Sequence, residues 1–137
     1  MEQTLEQLLD MFSDEVKLVV KNFPLKSHKF ARKAAQAALA AKVQGKFWEY
    51  HHELFKNYKS INDTKIQDIA RELNLDMEKF NNDMNSKAVQ QIINRDLQNG
   101  RSIGVRGTPT VYINGKRLND RNLSGFSKMI EAELSKK

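Results

Sequence analysis

Two short stretches of this chain read as β-strand, and a long helical block keeps them apart. The first, Val16-Lys17-Leu18-Val19-Val20, is a β-branched run suited to a buried strand. Asn22-Phe23-Pro24 stops it, because proline removes the next ladder donor and restrains the residue before it. The second is Thr110–Ile113, where Asn114-Gly115 gives a strong hairpin signal and Lys116-Arg117-Leu118 returns as the partner. A lone strand and a distant hairpin make an incomplete sheet. A helix ahead of the first strand is how a β-α-β unit looks once its opening strand has been cut away. The pattern alone therefore predicts an incomplete or strand-exchanged domain.

Helical periodicity accounts for the rest. Leu5, Leu8, Leu9 and Phe12 recur at i, i+3, i+4 and i+7 and mark one apolar helix face. Residues 28–43 are alanine-rich, a composition that favours helix and lets helices approach closely. After Gly45, a second stripe contains Phe47, His51, Leu54 and Phe55. Asp63 is read as the N-cap of a helix carrying Ile66, Ile69, Ala70 and Leu73, and Asp76 as the cap of a short one with Met77 and Phe80. Ser86 opens a longer helix with Val89, Ile92, Ile93 and Leu97 inward and Gly100 near its end. Leu123, Phe126, Ile130 and Leu134 form the last amphipathic face.

Composition excludes several function classes. The 137 residues include no cysteine, so disulfides, thiolate metal sites and cysteine nucleophiles are ruled out for this chain. A net charge of +6 raises the question of nucleic acid, but the basic residues are spread along the chain and interrupted by acidic ones. The expectation is a solvated basic surface and no nucleic-acid partner. No apolar run is long enough to span a bilayer. The acidic, amphipathic N-terminus lacks the basic start and apolar core of a signal peptide.

Neither a nucleophile–base pair, a phosphate-binding glycine loop nor a metal-ligand cluster is recognisable, so no catalytic residue, cofactor or metal is predicted. His51 and His52 are adjacent in a helix and point about 100° apart, which disfavours a shared metal. Trp48 with Phe47 and Phe55 reads as core packing. His28 reads as a packing or capping residue. Arg101, Arg106, Lys116 and Arg117 cluster in sequence around Gly107-Thr108-Pro109-Thr110 and read as a solvated rim.

The segment from Val16 to Asn57, with Asn22-Phe23-Pro24-Leu25, His28, the alanine-rich helix and Gly45-Lys46-Phe47-Trp48, together with Ser102–Gly115, resembles the DsbA-like thiol-disulfide oxidoreductases of the thioredoxin superfamily. The resemblance runs from about Leu5 to about Leu134. It implies an α/β, thioredoxin-like fold with a helical insertion and without the N-terminal central strand. One domain is expected over 1–137, with 1–25 and 104–137 as thioredoxin-core elements and 27–103 as the mainly helical insertion and core helix. It also implies that Gly107-Thr108-Pro109-Thr110 is the family's proline loop, with a cis bond before Pro109, presenting backbone groups to a substrate strand.

Arg106, Gly107, Thr108, Pro109 and Thr110 are thus the expected substrate-binding residues, and extended or cysteine-containing polypeptides the expected partners. Family members carry a strand and then Cys-x-x-Cys at the start of the first long helix, whose N-terminus lowers the attacking thiol's pKa. Here the match begins inside that helix, at Met1-Glu2-Gln3-Thr4, so strand and dithiol would lie upstream. A hydroxyl cannot exchange with a disulfide, so the chain as written is expected to be redox-inactive. The alternative is a natural redox-dead peptide-binding module. By resemblance the parent acts outside the cytoplasm, in the periplasm or cell envelope. The missing strand also predicts either direct re-pairing of Val16–Val20 with Thr110–Ile113 or a homodimer that fills the gap.

Overall fold

Four helices of this chain begin one residue after a side chain that can accept a hydrogen bond, and in each case it does. Asn62 accepts from the Lys65 N–H at 2.8 Å, Asp76 from Lys79 at 3.1 Å, Ser86 from Val89 at 3.2 Å and Asn122 from Gly125 at 2.7 Å. Each satisfies one of the donors that a helix start leaves without an intrahelical partner. The cap of the third of the expected helices is Asn62 rather than Asp63, which is the first helical residue.

The computed structural model describes residues 1–136. Its elements are α1 (Glu2–Met11), α2 (Ala31–Val43), α3 (Phe47–Lys56), α4 (Asp63–Glu72), α5 (Met77–Met84), α6 (Lys87–Ser102), β1 (Tyr112–Ile113), β2 (Lys116–Arg117) and α7 (Leu123–Leu134), with a 3₁₀ turn at Tyr58–Ser60. The fold is rich in helix, with a small two-stranded sheet. The chain divides into two units: one comprises residues 1–20 and the chain from Gly107 onward, the other Lys21–Arg106.

The Lys21–Arg106 unit is helical. Ala37, Ala38, Ala40 and Ala41 of α2 are buried among Tyr50, Ile66, Ile69, Ala70 and Phe80. Their small side chains let α3, α4 and α5 close directly around α2, and burial of the larger apolar residues stabilises the arrangement. On the other side Leu39 meets Val89, Ile93 and Leu97 of α6, with Phe23 against them. Phe23 lies so close to α6 that a Cβ on Gly100 would stand 2.9 Å from its ring. The preceding residue is pinned too, since the Asn22 backbone N–H and side-chain amide both donate to Asp96 Oδ2, at 3.0 and 2.9 Å.

The buried face of α3 differs from the expected one. Phe47, Tyr50 and Leu54 turn inward, and the Tyr50 hydroxyl donates to the Ile66 carbonyl at 2.8 Å. Trp48 is 49% exposed and Phe55 50%, so neither is the core residue that the sequence suggested. Tyr50 wins the inward position because its ring fills the core while its hydroxyl finds a carbonyl partner. Trp48 and Phe55 instead contact the half-buried His51, Trp48 edge-on at a ring separation of 5.7 Å and Phe55 tilted at 4.7 Å. His52 is exposed.

In the other unit, α1 and α7 bury Leu8, Phe12, Phe126 and Ile130 with Leu118. β1 and β2 pair antiparallel with Tyr112 opposite Arg117 and Ile113 opposite Lys116. The turn between them has positive φ at both residues, 48° at Asn114 and 80° at Gly115, the geometry that a two-residue hairpin requires and that selects Asn-Gly.

Val16–Val20 is not a strand. Among the described residues the sheet has two strands, and residues 16–20 belong to neither ladder nor helix. The expected re-pairing with Thr110–Ile113 does not occur. Burial still alternates as in a strand, with Val16, Leu18 and Val20 half-buried and Lys17 and Val19 exposed. The composition of a strand is present, but a ladder needs a neighbour at about 4.8 Å, and no described segment supplies one.

Candidate functional site

The loop expected to bind substrate follows Arg106, and the hairpin places its second half. In the β1–β2 register, a residue three before Tyr112 stands opposite one three after Arg117, so the chain beyond β2 returns beside Pro109. Leu118 N–H continues the ladder to the Val111 carbonyl at 2.9 Å. Arg121, one turn further, donates from Nη1 to the Pro109 carbonyl oxygen. The Thr110 hydroxyl reaches back to the Gly107 carbonyl at 2.7 Å. The bond between Thr108 and Pro109 is cis.

These contacts sort the loop's peptide groups. Gly107 and Pro109 carbonyls are engaged, and proline has no N–H. Thr108 is exposed, and among the described residues its N–H and C=O take part in no hydrogen bond. Thr108 is therefore the exposed residue of this loop that offers both a donor and an acceptor to an incoming chain; the peptide groups of half-buried Thr110 likewise take part in no hydrogen bond among the described residues. Thr110 is half-buried and Pro109 exposed. Gly107 is not in the left-handed region, and a Cβ there would meet nothing within 4 Å. Arg106 is exposed and has no acidic partner among the described residues.

Arg121 was not singled out from sequence. It carries no motif, and only the hairpin register brings a residue twelve positions away onto the loop. Asp96 was missed for a similar reason, because an acidic residue among apolar ones on α6 reads as solvated until Asn22 is seen against it. Lys116, expected in a solvated rim, is in an ion pair: Glu133 of α7 lies 3.1 Å from Lys116 Nζ and 2.6 Å from Lys136 Nζ. The hydrogen bonds from Lys136 and then Lys116 hold the Glu133 carboxyl at about 2.

The same unit contains a cleft of about 210 Å³. Val16, Lys17 and Leu18 form one wall and Val111 to Asn114 the other, and Leu8 of α1 and Phe126 of α7 also line it.

The family model described as "DSBA-like thioredoxin domain" matches residues 1–131. A thioredoxin-like oxidoreductase from Silicibacter pomeroyi DSS-3 is similar in structure with a TM-score of 0.86 at 26% identity, over 98% of this chain and 77% of that one. The thiol-disulfide exchange protein α-DsbA2 from Wolbachia pipientis shares the fold, with a TM-score of 0.81 at 24% identity, over 96% of this chain and 72% of that one. Among curated sequences, the Na(+)/H(+) antiporter NhaA 1 of Mycolicibacterium gilvum is 34% identical over 109 residues, 77% of this chain and 18% of that protein. The Na(+)/H(+) antiporter NhaA of Herminiimonas arsenicoxydans is 35% identical over 107 residues, 78% of this chain and 17% of that protein. The chain thus spans less than a fifth of the length of these curated relatives. No helix of the described residues is long and apolar enough to cross a membrane.

Proposed function

Because the chain belongs to the DSBA-like thioredoxin domain family, we propose that it is the polypeptide-holding part of a disulfide oxidoreductase, redox-inactive by itself. The family acts on polypeptides. The reading extends that to Arg106–Thr110 as the segment that holds an extended, cysteine-containing substrate. Thr108 pairs with the substrate backbone in the manner of strand addition, and Arg121 keeps the Pro109 carbonyl out of that pairing. Formation or isomerisation of a substrate disulfide needs a thiolate to attack sulfur. No residue of this cysteine-free chain supplies one, and that observation carries the proposal. The parent acts in the periplasm or cell envelope.

A second reading is favoured by the same absence of cysteine. On that reading the domain is a natural peptide-binding module that works without redox chemistry.

One experiment tests the holding role in both. A reduced, extended peptide with a single cysteine is titrated into the isotope-labelled protein, and the Thr108 amide is followed by NMR. Saturable shifts centred on Gly107–Thr110, weakened in Thr108→Pro, support it; shifts elsewhere or none reject it. In a reductant-coupled insulin precipitation assay the chain is expected to give the uncatalysed rate, and catalysis would refute redox inactivity.

A further inference from the structure

Two arginines flank the exposed Thr108, and neither has an acidic partner among the described residues. Arg106 stands two residues before it in the chain and is exposed. Arg121 reaches the loop from the segment beyond β2 and donates from Nη1 to the Pro109 carbonyl oxygen. A guanidinium has five N–H donors in a fixed fork, and this bond engages only one of them. Arg121 is itself exposed, so the remaining donors are open to a ligand beside the loop.

The bond to Pro109 matters for recognition. It holds the guanidinium in place before a ligand arrives, so less side-chain freedom is lost when a second acceptor binds. The acceptor that matches a free guanidinium fork in both charge and shape is a carboxylate. We propose that the loop selects an extended polypeptide with a glutamate or aspartate within two residues of the one that pairs with Thr108, and that Arg121 reads that carboxylate. The inference rests on Arg106–Thr110 as the holding segment and adds the substrate's charge to that reading.

The chain's own carboxylates leave the site positive. Between Asp96 and Glu131 there is one acidic residue, Asp120, against Arg101, Arg106, Lys116, Arg117, Arg121 and Lys128. Asp120 is exposed and in no ion pair among the described residues. Its Cβ would stand 2.9 Å from a Cβ on Gly125, so its side chain is rooted against α7. Counted in full, it offsets one of the two arginines beside Thr108. Glu15 and Glu133 line the cleft with Val111–Asn114, which includes none of residues 106–110, and Glu133 is matched by Lys116 and Lys136. Glu2 and Glu6 of α1 are themselves engaged.

The probes are three reduced peptides, acetyl-Thr-Xaa-Val-Cys-Val-Xaa-Thr amide, with both Xaa positions Glu, Gln or Lys. The Thr108 amide is followed by NMR in each titration, so binding at the loop is read separately from charge preference. The Glu peptide is expected to bind about three- to fivefold more tightly than the Gln peptide at low ionic strength, as one exposed ion pair allows. The Lys peptide should bind most weakly, and added salt should narrow the differences. Arg121→Gln removes the charge while its amide can still donate to the Pro109 carbonyl. In that variant the Gln peptide should keep its affinity and the Glu peptide should fall to match it, whereas Arg106→Gln should retain most of the preference. Equal affinity of the Glu and Gln peptides, with Thr108 shifting for both, would overturn the acidic preference and leave the holding role standing. No saturable Thr108 shift with any peptide would overturn both. A preference that survives Arg121→Gln, or loss of the Gln peptide in that variant, would overturn the role of Arg121 as the reader.

Discussion

Replacing Gly125 by alanine sets two effects of opposite sign against each other. Gly125 is the third residue of α7, and alanine is favoured over glycine inside a helix by about 1 kcal/mol. Against this, a Cβ at that position would stand 2.0 Å from the Asp120 carbonyl oxygen and 2.9 Å from its carbon. Carbon–oxygen contact is ordinary from about 3.3 Å, so the carbonyl must retreat by about 1.3 Å. It is backbone and has no rotamer to escape into. Overpacking costs about 1–3 kcal/mol, and an obstacle that cannot rotate takes the upper end. The net expectation is a loss of about 2 kcal/mol. Gly107→Ala is the control, because its Cβ meets open space and its φ needs no glycine. There stability should hold or rise by up to about 1 kcal/mol, through a less flexible unfolded chain. Urea unfolding followed by circular dichroism measures both. Displacement of Asp120 should also move Arg121, and with it the amide shifts around Pro109. A Gly125→Ala protein as stable as the parent would refute the clash argument.

Tyr50→Phe should cost about 1 kcal/mol in urea unfolding, the net worth of the buried bond to Ile66. Burial raises the Tyr50 hydroxyl above its usual 10.0, so the parent's stability should also decline as pH rises past 10. Tyr50→Phe lacks that part of the decline, which a pH series of melting curves reads. Glu133 works in the opposite sense: its carboxyl is lowered from 4.5 to about 2. Its contribution is present above pH 4.5 and lost as pH falls through about 2, and Glu133→Gln should flatten the acid limb of Tm against pH. Asp96→Ala takes the acceptor from both Asn22 donors and should cost about 2–4 kcal/mol; a loss below 1 kcal/mol by chemical denaturation would show that the contact is incidental.

The sequence was a good guide wherever a local rule acts alone. Caps at Asp76 and Ser86, the Asn114-Gly115 turn and the face of α7 depend on neighbours within a few residues, and all four form. Long-range competition was not legible. The inward face of α3 was set by a tyrosine whose partner, Ile66, lies sixteen residues on. The β-branched run Val16–Val20 announces a strand, yet strand formation is a property of pairs, and sequence cannot show that a neighbour is lacking in space. In the candidate loop, Gly107–Thr110 carried its own motif. The contact that decides which peptide groups remain free comes from Arg121, whose position follows only from the hairpin register.

The loop can persist without the dithiol because nothing that shapes it involves sulfur. Thr110 closes it through a hydroxyl, Arg121 through a guanidinium, and the hairpin through backbone ladder bonds and two residues of positive φ. Asn122, which caps α7, fixes the turn that carries Arg121. A thiolate would add reactivity beside such a loop but no support for it. These 137 residues hold no thiol for exchange, and the loop they shape still leaves the Thr108 N–H and C=O without a hydrogen-bond partner among the described residues. On the proposed function, binding and exchange are separable for a physical reason: one depends on backbone geometry that local hydrogen bonds maintain, the other on a side chain that those bonds never touch.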